Sequence, residues 1–307
     1  MMITTVRRTG IAVAAVTALM SVAACGGPGG STGTSTADGG GRSGPGALGT
    51  DAVAALRLVQ KETGGAQSAM VEGTTVMGSA MSMRQSGAID WSDGITGALT
   101  ITYTGGTMGD ALKQSGGDGS MRARYLKDEY YANMGDAFAA NVGGKHWIRY
   151  GYAELAELAG ASGEVMKEQM RNSTPQQGVN ALLASGDVKK VGQEDVRGVA
   201  TTHYSGTVDI AELSAKTSAL DAGQLAAFKK QLSGLGITTE TVDIWVDKDN
   251  LLVKKTEKGE TKTGALNSTV FYSDYGAKVR VEKPAAGDTV DFKDILGQQQ
   301  GGTAGAS

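Results

Sequence analysis

Between residues 95 and 104 the chain alternates with a period of two. Gly97, Leu99, Ile101 and Tyr103 fall on one side, and Ala98, Thr100, Thr102 and Thr104 on the other. That is the pattern of a strand in a sheet with one buried face and one wet face. Short runs of similar composition, bounded by Gly, Asp and Ser, predict further strands at 68–77, 80–89, 121–126, 129–134 and 145–150. A second set is expected at 187–194, 199–209, 239–247, 251–257, 266–275 and 278–282. Elsewhere the apolar spacing becomes helical. Thr50 can cap a helix that carries Val53, Leu56 and Val59 on one side and ends at Gly64-Gly65. Helices are also predicted at 152–159 and 164–171, and from Pro175 to Gly186 with Thr174 as cap. A last stripe sets Leu225, Phe228 and Leu232 on one helix face. About a dozen strands broken by a few helices, with no regular strand-helix alternation, imply an α+β fold built on one large, strongly curved antiparallel sheet. A sheet of that size must close, split or wrap something, and amphipathic helices are what it would wrap.

The first residues follow another logic. Arg7 and Arg8 precede an uncharged run at 11–22, and Val22-Ala23-Ala24-Cys25 follows. This is the basic, apolar and small-residue order of a secretory signal. The run is too short to cross a bilayer, because its helix would rise about 18 Å against a hydrocarbon core of about 30 Å. Residues 1–24 are therefore expected to be removed. Arg7-Arg8 is a twin-arginine pair, but Thr9 and Gly10 follow it, which favours the general secretory route. The last four residues resemble a bacterial lipobox, with Cys25 as the lipid-attachment residue. Cys25 is the single cysteine of the chain, so it has no disulfide partner. A glycine linker follows it, which could not hold a catalytic thiol against a base. Two acyl chains at about 0.8 kcal/mol per buried methylene make a stable anchor, where one chain would be reversible.

Residues 25–49 comprise Cys25 and a stretch made almost wholly of Gly, Ser, Thr, Ala and Pro, which reads as a flexible tether with an r.m.s. span of roughly 27 Å. A single domain is expected over 50–295, with a disordered tail at 296–307. Two catalytic-looking patterns lie in the tether, Gly44-Pro45-Gly46-Ala47-Leu48-Gly49 and Gly29-Gly30-Ser31-Thr32-Gly33. Neither follows a strand, as a dinucleotide loop or a nucleophile elbow requires, and both are accidents of composition. Removing Arg7 and Arg8 leaves 27 basic against 32 acidic residues, a net charge of −5. No basic face points to nucleic acid.

Three segments resemble a known family. These are Val196-Arg197-Gly198-Val199-Ala200-Thr201-Thr202-His203-Tyr204, then Val242-Asp243-Ile244-Trp245-Val246-Asp247-Lys248-Asp249-Asn250-Leu251-Leu252, then Phe271-Tyr272-Ser273-Asp274-Tyr275-Gly276. In that order they are similar to segments of the LppX/LprA/LprF/LprG lipoproteins of actinobacteria, within the wider LolA/LolB/RseB-like group. The resemblance spans most of 50–284 and agrees with the lipobox. It implies a half-barrel of about 11 antiparallel strands, with helices covering the concave face and an apolar cavity between them. It also implies binding of acylated lipids or glycolipids of the cell envelope. The sequence departs from the family in being rich in Gly, Met and Ala where a wide cavity would be lined.

Residues suited to chemistry are few. His146 and His203 both fall in strand readings without placeable partners, so each is expected to be a strand-face histidine. Asp247-Lys248-Asp249-Asn250 begins like a calcium loop, but Leu251 and Leu252 occupy positions that need an oxygen ligand and a glycine, so a hairpin turn is expected. Asn172-Ser173-Thr174 and Asn267-Ser268-Thr269 are sequon matches that mean little in a bacterial lipoprotein. No enzyme activity, cofactor or metal is expected. Leu99, Ile101, Tyr103, Leu182, Leu225, Phe228 and Leu232 are the candidate lining of a ligand cavity. The same stripes would equally serve as core, because a cavity wall and a core wall share one periodicity. Met70, Met81 and Met83 stand in the same position. The expected function is non-enzymatic: binding an acylated lipid or glycolipid and handing it over locally, at the extracytoplasmic face of the cell membrane. The alternative is an RseB-like sensor or interaction module with a membrane-protein partner.

Overall fold

Twelve stretches of extended chain pair into one sheet in a computed structural model, which describes residues 50–114, 116–159, 174–210, 222–223, 226, 230, 233–234 and 236–301. Helix α1 (Thr50–Gly65) leads into β1 (Ser68–Met77), β2 (Met81–Asp90) and β3 (Thr96–Gly105). Then come α2 (Gly106–Gln114), β4 (Ser120–Tyr125), β5 (Glu129–Asn133), α3 (Asp136–Ala139), β6 (Trp147–Gly151) and α4 (Tyr152–Ala159). Helix α5 (Gln176–Ser185) precedes β7 (Lys189–Val196), β8 (Val199–Asp209), β9 (Thr239–Val246), β10 (Leu252–Thr261) and β11 (Gly264–Ser273), and β12 (Thr289–Asp291) with α6 (Phe292–Gly301) completes the described chain. The strand order is β12-β6-β5-β4-β3-β2-β1-β11-β10-β9-β8-β7. Two meanders thus run outward in opposite directions from the central β1–β11 pair, and every pairing is antiparallel except β12 on β6.

Period-two patterning sets which face is covered. In β3, Gly97, Leu99, Ile101 and Tyr103 are buried while Ala98, Thr100 and Thr104 are exposed. Inward-facing side chains of most other strands join Leu56 and Val59 of α1 and Val179 and Leu182 of α5 in one apolar core, while Val196, Trp245 and Val253 form a smaller cluster. At the sheet's other end, Tyr125, Tyr130, Tyr150 and Phe292 pack ring against ring with centroids 5.0, 5.5 and 4.9 Å apart, joining α6 to β4, β5 and β6. Arg149 clamps β12 to β6 by binding Asp291, Glu129 and Glu154 together. No helix among the described residues is long and apolar enough to cross a membrane.

Helix α5 reaches the sheet because Gly206 of β8 and its own Gly178, which faces Lys255 of β10, make room for it. A Cβ on Gly206 of β8 would strike the carbonyl oxygen of Asp187, and it would lie 2.9 Å from Leu182 Cδ2. Replacing Gly206 with Val is therefore expected to destabilise the fold by about 3 kcal/mol through overpacking against backbone that cannot yield. Thermal unfolding of the variant checks this, and an unchanged midpoint would refute the close approach.

The sequence expectations differ from this fold in definite places. The stretch 278–282 forms no strand: β11 already lies between β1 and β10, and a side-chain bond from Arg124 Nη1 to the Glu282 carbonyl, 2.8 Å long, holds the segment instead. The twelfth strand is β12, whose parallel pairing departs from the expected all-antiparallel sheet. His146 lies just before β6, its backbone N–H and Nδ1 both bonded to Asp288. Met70 points to the outer face and is partly exposed. Helix α6 runs to Gly301, past the expected domain end at 295. The expected helix at 164–171 lies outside the described residues, as do Cys25, Leu225, Phe228 and Leu232.

Candidate functional site

The inner face carries its side chains in rows across the strands. One row reads Ile101, Gln85, Gly73, Val270, Lys255, Ile244 and Tyr204, each paired with the next in register. Gly73 leaves that row without a side chain between Gln85 and Val270, and the Gln85 side chain leans over it, its Nε2 3.0 Å from where a Cβ would stand. Beside Gly73, Val71 faces Tyr272, Thr75 faces Ser268 and Met77 faces Leu266 across the β1–β11 pair. A cavity of about 70 Å³ opens there, and Ile89, Ile95, Leu99, Tyr125, Thr174 and Pro175 complete its lining with Lys255 and Glu257. It holds roughly five water-sized sites, well below the 300–1,000 Å³ usual for small-molecule pockets.

The expected lining residues separate. Leu99 borders the cavity. Ile101 and Tyr103 lie on the same inner face but within the core, Tyr103 under Gly109 of α2. Leu182 is wholly buried against Gly206 of β8. Sequence reasoning missed the cavity's polar wall. Lys255 and Glu257 are two residues apart on β10 and so project to one face, where Lys255 Nζ lies 2.6 Å from Glu257 Oε1. Both are buried. Charged residues in a strand read as solvent-facing, and the signal that could have flagged them is their position among inward-facing neighbours, opposite Ile244 and Val242.

Burial pushes Lys255 toward losing its proton, but the charge of Glu257 outweighs it, and the ammonium is held above the ordinary lysine range. Glu240 on β9 is also buried, its Cγ lying 3.1 Å from where a Cβ on Gly259 would stand. Desolvation, then the Glu257 charge, push its carboxyl up to about 8 against the partial opposition of Lys255. A raised carboxyl binds a proton in the folded state that the unfolded chain has released. Its stabilising effect is therefore full below the ordinary value of 4.5 and is lost as pH rises to about 8. Within that window one proton contributes a slope of about 1.4 kcal/mol per pH unit. Replacing Glu240 with Gln is expected to flatten the fall in stability between pH 5 and 8, which urea unfolding at several pH values would measure. An unchanged slope would show that Glu240 is already ionised in the folded state.

The outer face carries a different cluster. His203 on β8 stacks on Trp245 with ring centroids 4.2 Å apart, and its Nε2 lies 2.9 Å from Asp243. Its Nδ1 is 3.3 Å from Glu194, which also accepts a bond from the Trp245 indole. Both ring nitrogens are thus engaged by carboxylates, an arrangement that fixes β7, β8 and β9 together. His203 is a strand-face histidine. Asp247 accepts bonds from the backbone N–H groups of Asp249 and Leu251, so 247–250 is the hairpin turn between β9 and β10. A second depression, of about 420 Å³, crosses the outer face between Glu72, Arg84, Thr100, Arg197 and Phe271.

No family model matches the chain. A 31.2 kDa protein of Streptomyces griseus, encoded between rplA and rplJ, is 76% identical over 255 residues, covering 83% of each chain. A protein of Streptomyces coelicolor that is named as a candidate lipoprotein is 47% identical over 307 residues, covering 96% of this chain and 98% of its own. Among solved structures, lipoprotein LppX of Mycobacterium tuberculosis aligns with a TM-score of 0.47 at 16% identity, over 76% of this chain and all of its own. LprF of Mycobacterium bovis aligns with a TM-score of 0.46 at 15% identity, over 77% of this chain and 98% of its own.

Proposed function

From the premise that the chain belongs to the family of these two Streptomyces proteins, one of them named as a candidate lipoprotein, we propose that it is a membrane-anchored lipoprotein of the extracytoplasmic face that binds the acyl chain of an envelope lipid or glycolipid. Cys25 would carry the anchor, residues 1–24 the export signal and 26–49 the tether. The observation that carries the ligand reading is the cavity on the inner face of the sheet, walled by Val71, Leu99, Val270 and Tyr272. Burying one long acyl chain is worth on the order of 10 kcal/mol at about 0.8 per methylene, so apolar walls supply the driving force without any catalytic group. At about 70 Å³ the cavity takes only part of such a chain. Binding must widen it, by moving α5 or the inward side chains. Transfer would be local, because a tether of roughly 27 Å keeps the domain near its own membrane.

A second reading, an interaction module for a membrane protein, would use the larger outer depression between Glu72 and Phe271. Solvent extraction of the full chain purified from membranes distinguishes the two. The anchor is covalent and stays with the protein, so about one equivalent of free lipid per chain is expected in the extract. An extract free of lipid would favour the interaction module.

A further inference from the structure

The polar part of the cavity has a definite charge. Lys255 and Glu257 both line it, and their ion pair already balances one positive against one negative charge. An ammonium offers three donors, and the hydrogen bond of Lys255 among the described residues goes to Glu257. Its stem is pinned beneath α5, where a Cβ on Gly178 would lie 2.6 Å from Lys255 Cδ. The ammonium is accordingly buried, beside Glu257. Gln85, Ser268 and Tyr272 line the same cavity, so donors and acceptors are both present. Glu240 on β9 is also buried, its carboxyl pushed up by desolvation and by the Glu257 charge, so it brings no positive charge that could balance an anion. An anionic head beside Lys255 would meet Glu257 as an unbalanced neighbour among largely buried groups, which is the costly case for a buried charge. An uncharged head meets no such cost, because its hydroxyl or ester oxygens accept from Lys255 and a hydroxyl donates to Glu257.

We infer that Lys255, Glu257, Gln85 and Ser268 form the head-group end of the cavity, and that they select an uncharged, hydroxyl- or ester-bearing acylglycerol over a fatty acid or an anionic phospholipid of the same chain length. This rests on the lipid-binding reading given above. The apolar walls accept any acyl chain, and the ion pair sets which head can follow it inside.

The test uses the full chain reconstituted in phosphatidylcholine vesicles. Three photoactivatable probes of equal chain length are added at equal mole fraction: a monoacylglycerol, a fatty acid and a lysophosphatidic acid. Cross-links are mapped by peptide mass spectrometry. The monoacylglycerol is expected to label peptides of β1, β10 and β11 at least about tenfold more than either anionic probe, a ratio equal to about 1.4 kcal/mol. The double variant Lys255→Met with Glu257→Gln is expected to keep labelling but lose that preference, and Ser268→Ala, a milder change, to reduce it. Equal or stronger labelling by the anionic probes would overturn the inference while leaving lipid binding intact. So would an undiminished preference in the double variant. Absence of cavity labelling by any probe would overturn the lipid-binding reading and this inference with it.

Discussion

Replacing Lys255 with Met is expected to cost about 3–5 kcal/mol of stability at pH 7, among the largest single effects in the domain, because it strands Glu257 as a buried charge without its partner. The carboxylate is 2.6 Å from the ammonium and both are buried on the inner face. Replacing both residues with Met is expected to recover most of that loss, since well-packed apolar side chains of similar volume often match or exceed a buried ion pair. The double-mutant cycle in urea isolates the coupling. A single variant as stable as the parent would mean that Glu257 reaches water, and the cavity would then be wet at that end. Recovery in the double variant would mean that the pair adds no net stability, which leaves head-group selection as the role proposed for it.

Replacing Cys25 with Ser is expected to abolish incorporation of an alkyne-tagged palmitate and to leave the amino terminus without its diacylglyceryl group. The effect is all-or-none, because Cys25 is the single thiol of the chain. Metabolic labelling followed by gel analysis reads it directly. Undiminished label in the variant would refute the anchor. If the label is lost but the chain still sediments with membranes, the unprocessed signal or a protein partner holds it there.

Much of the fold was legible because alternation survives wherever one face of a strand is buried. The eleven long strands fall where period-two runs predict them, with ends shifted by a few residues. Helices α1 and α5 follow from Thr50, Pro175 and the glycines that close them. What escaped has identifiable reasons. Helix α2 reads GTMGDALKQ, whose two glycines give it poor intrinsic propensity; in the fold it packs over β2 and β3, with Gly109 against Tyr103. Strand β12 is three residues long and is held by Arg149 and by the bond of His146 to Asp288, contacts between segments about 140 residues apart. The run at 278–282 alternates well but pairs with no strand, since both sides of the preceding β11 are already taken by β1 and β10.

The candidate site was legible only as a face. Period two placed Leu99, Ile101 and Tyr103 on the covered side, but it cannot tell the one that borders a cavity from the two that fill the core. That difference depends on the β1–β11 register, which joins residues nearly 200 positions apart. Lys255 and Glu257 were invisible for the opposite reason. Charged residues on a strand signal water, and only the inward register of Val270, Ile244 and Val242 around them reverses the reading.

The central claim is that an acyl chain lies between the inner face of the sheet and α5. Its most direct test is anomalous diffraction from crystals of the protein grown with a monoacylglycerol brominated along its chain. The bromine peak is expected among Val71, Leu99, Val270 and Tyr272, in a cavity wider than the 70 Å³ of the present structure. A peak in the outer depression between Glu72 and Phe271, or no ordered peak, would contradict the account.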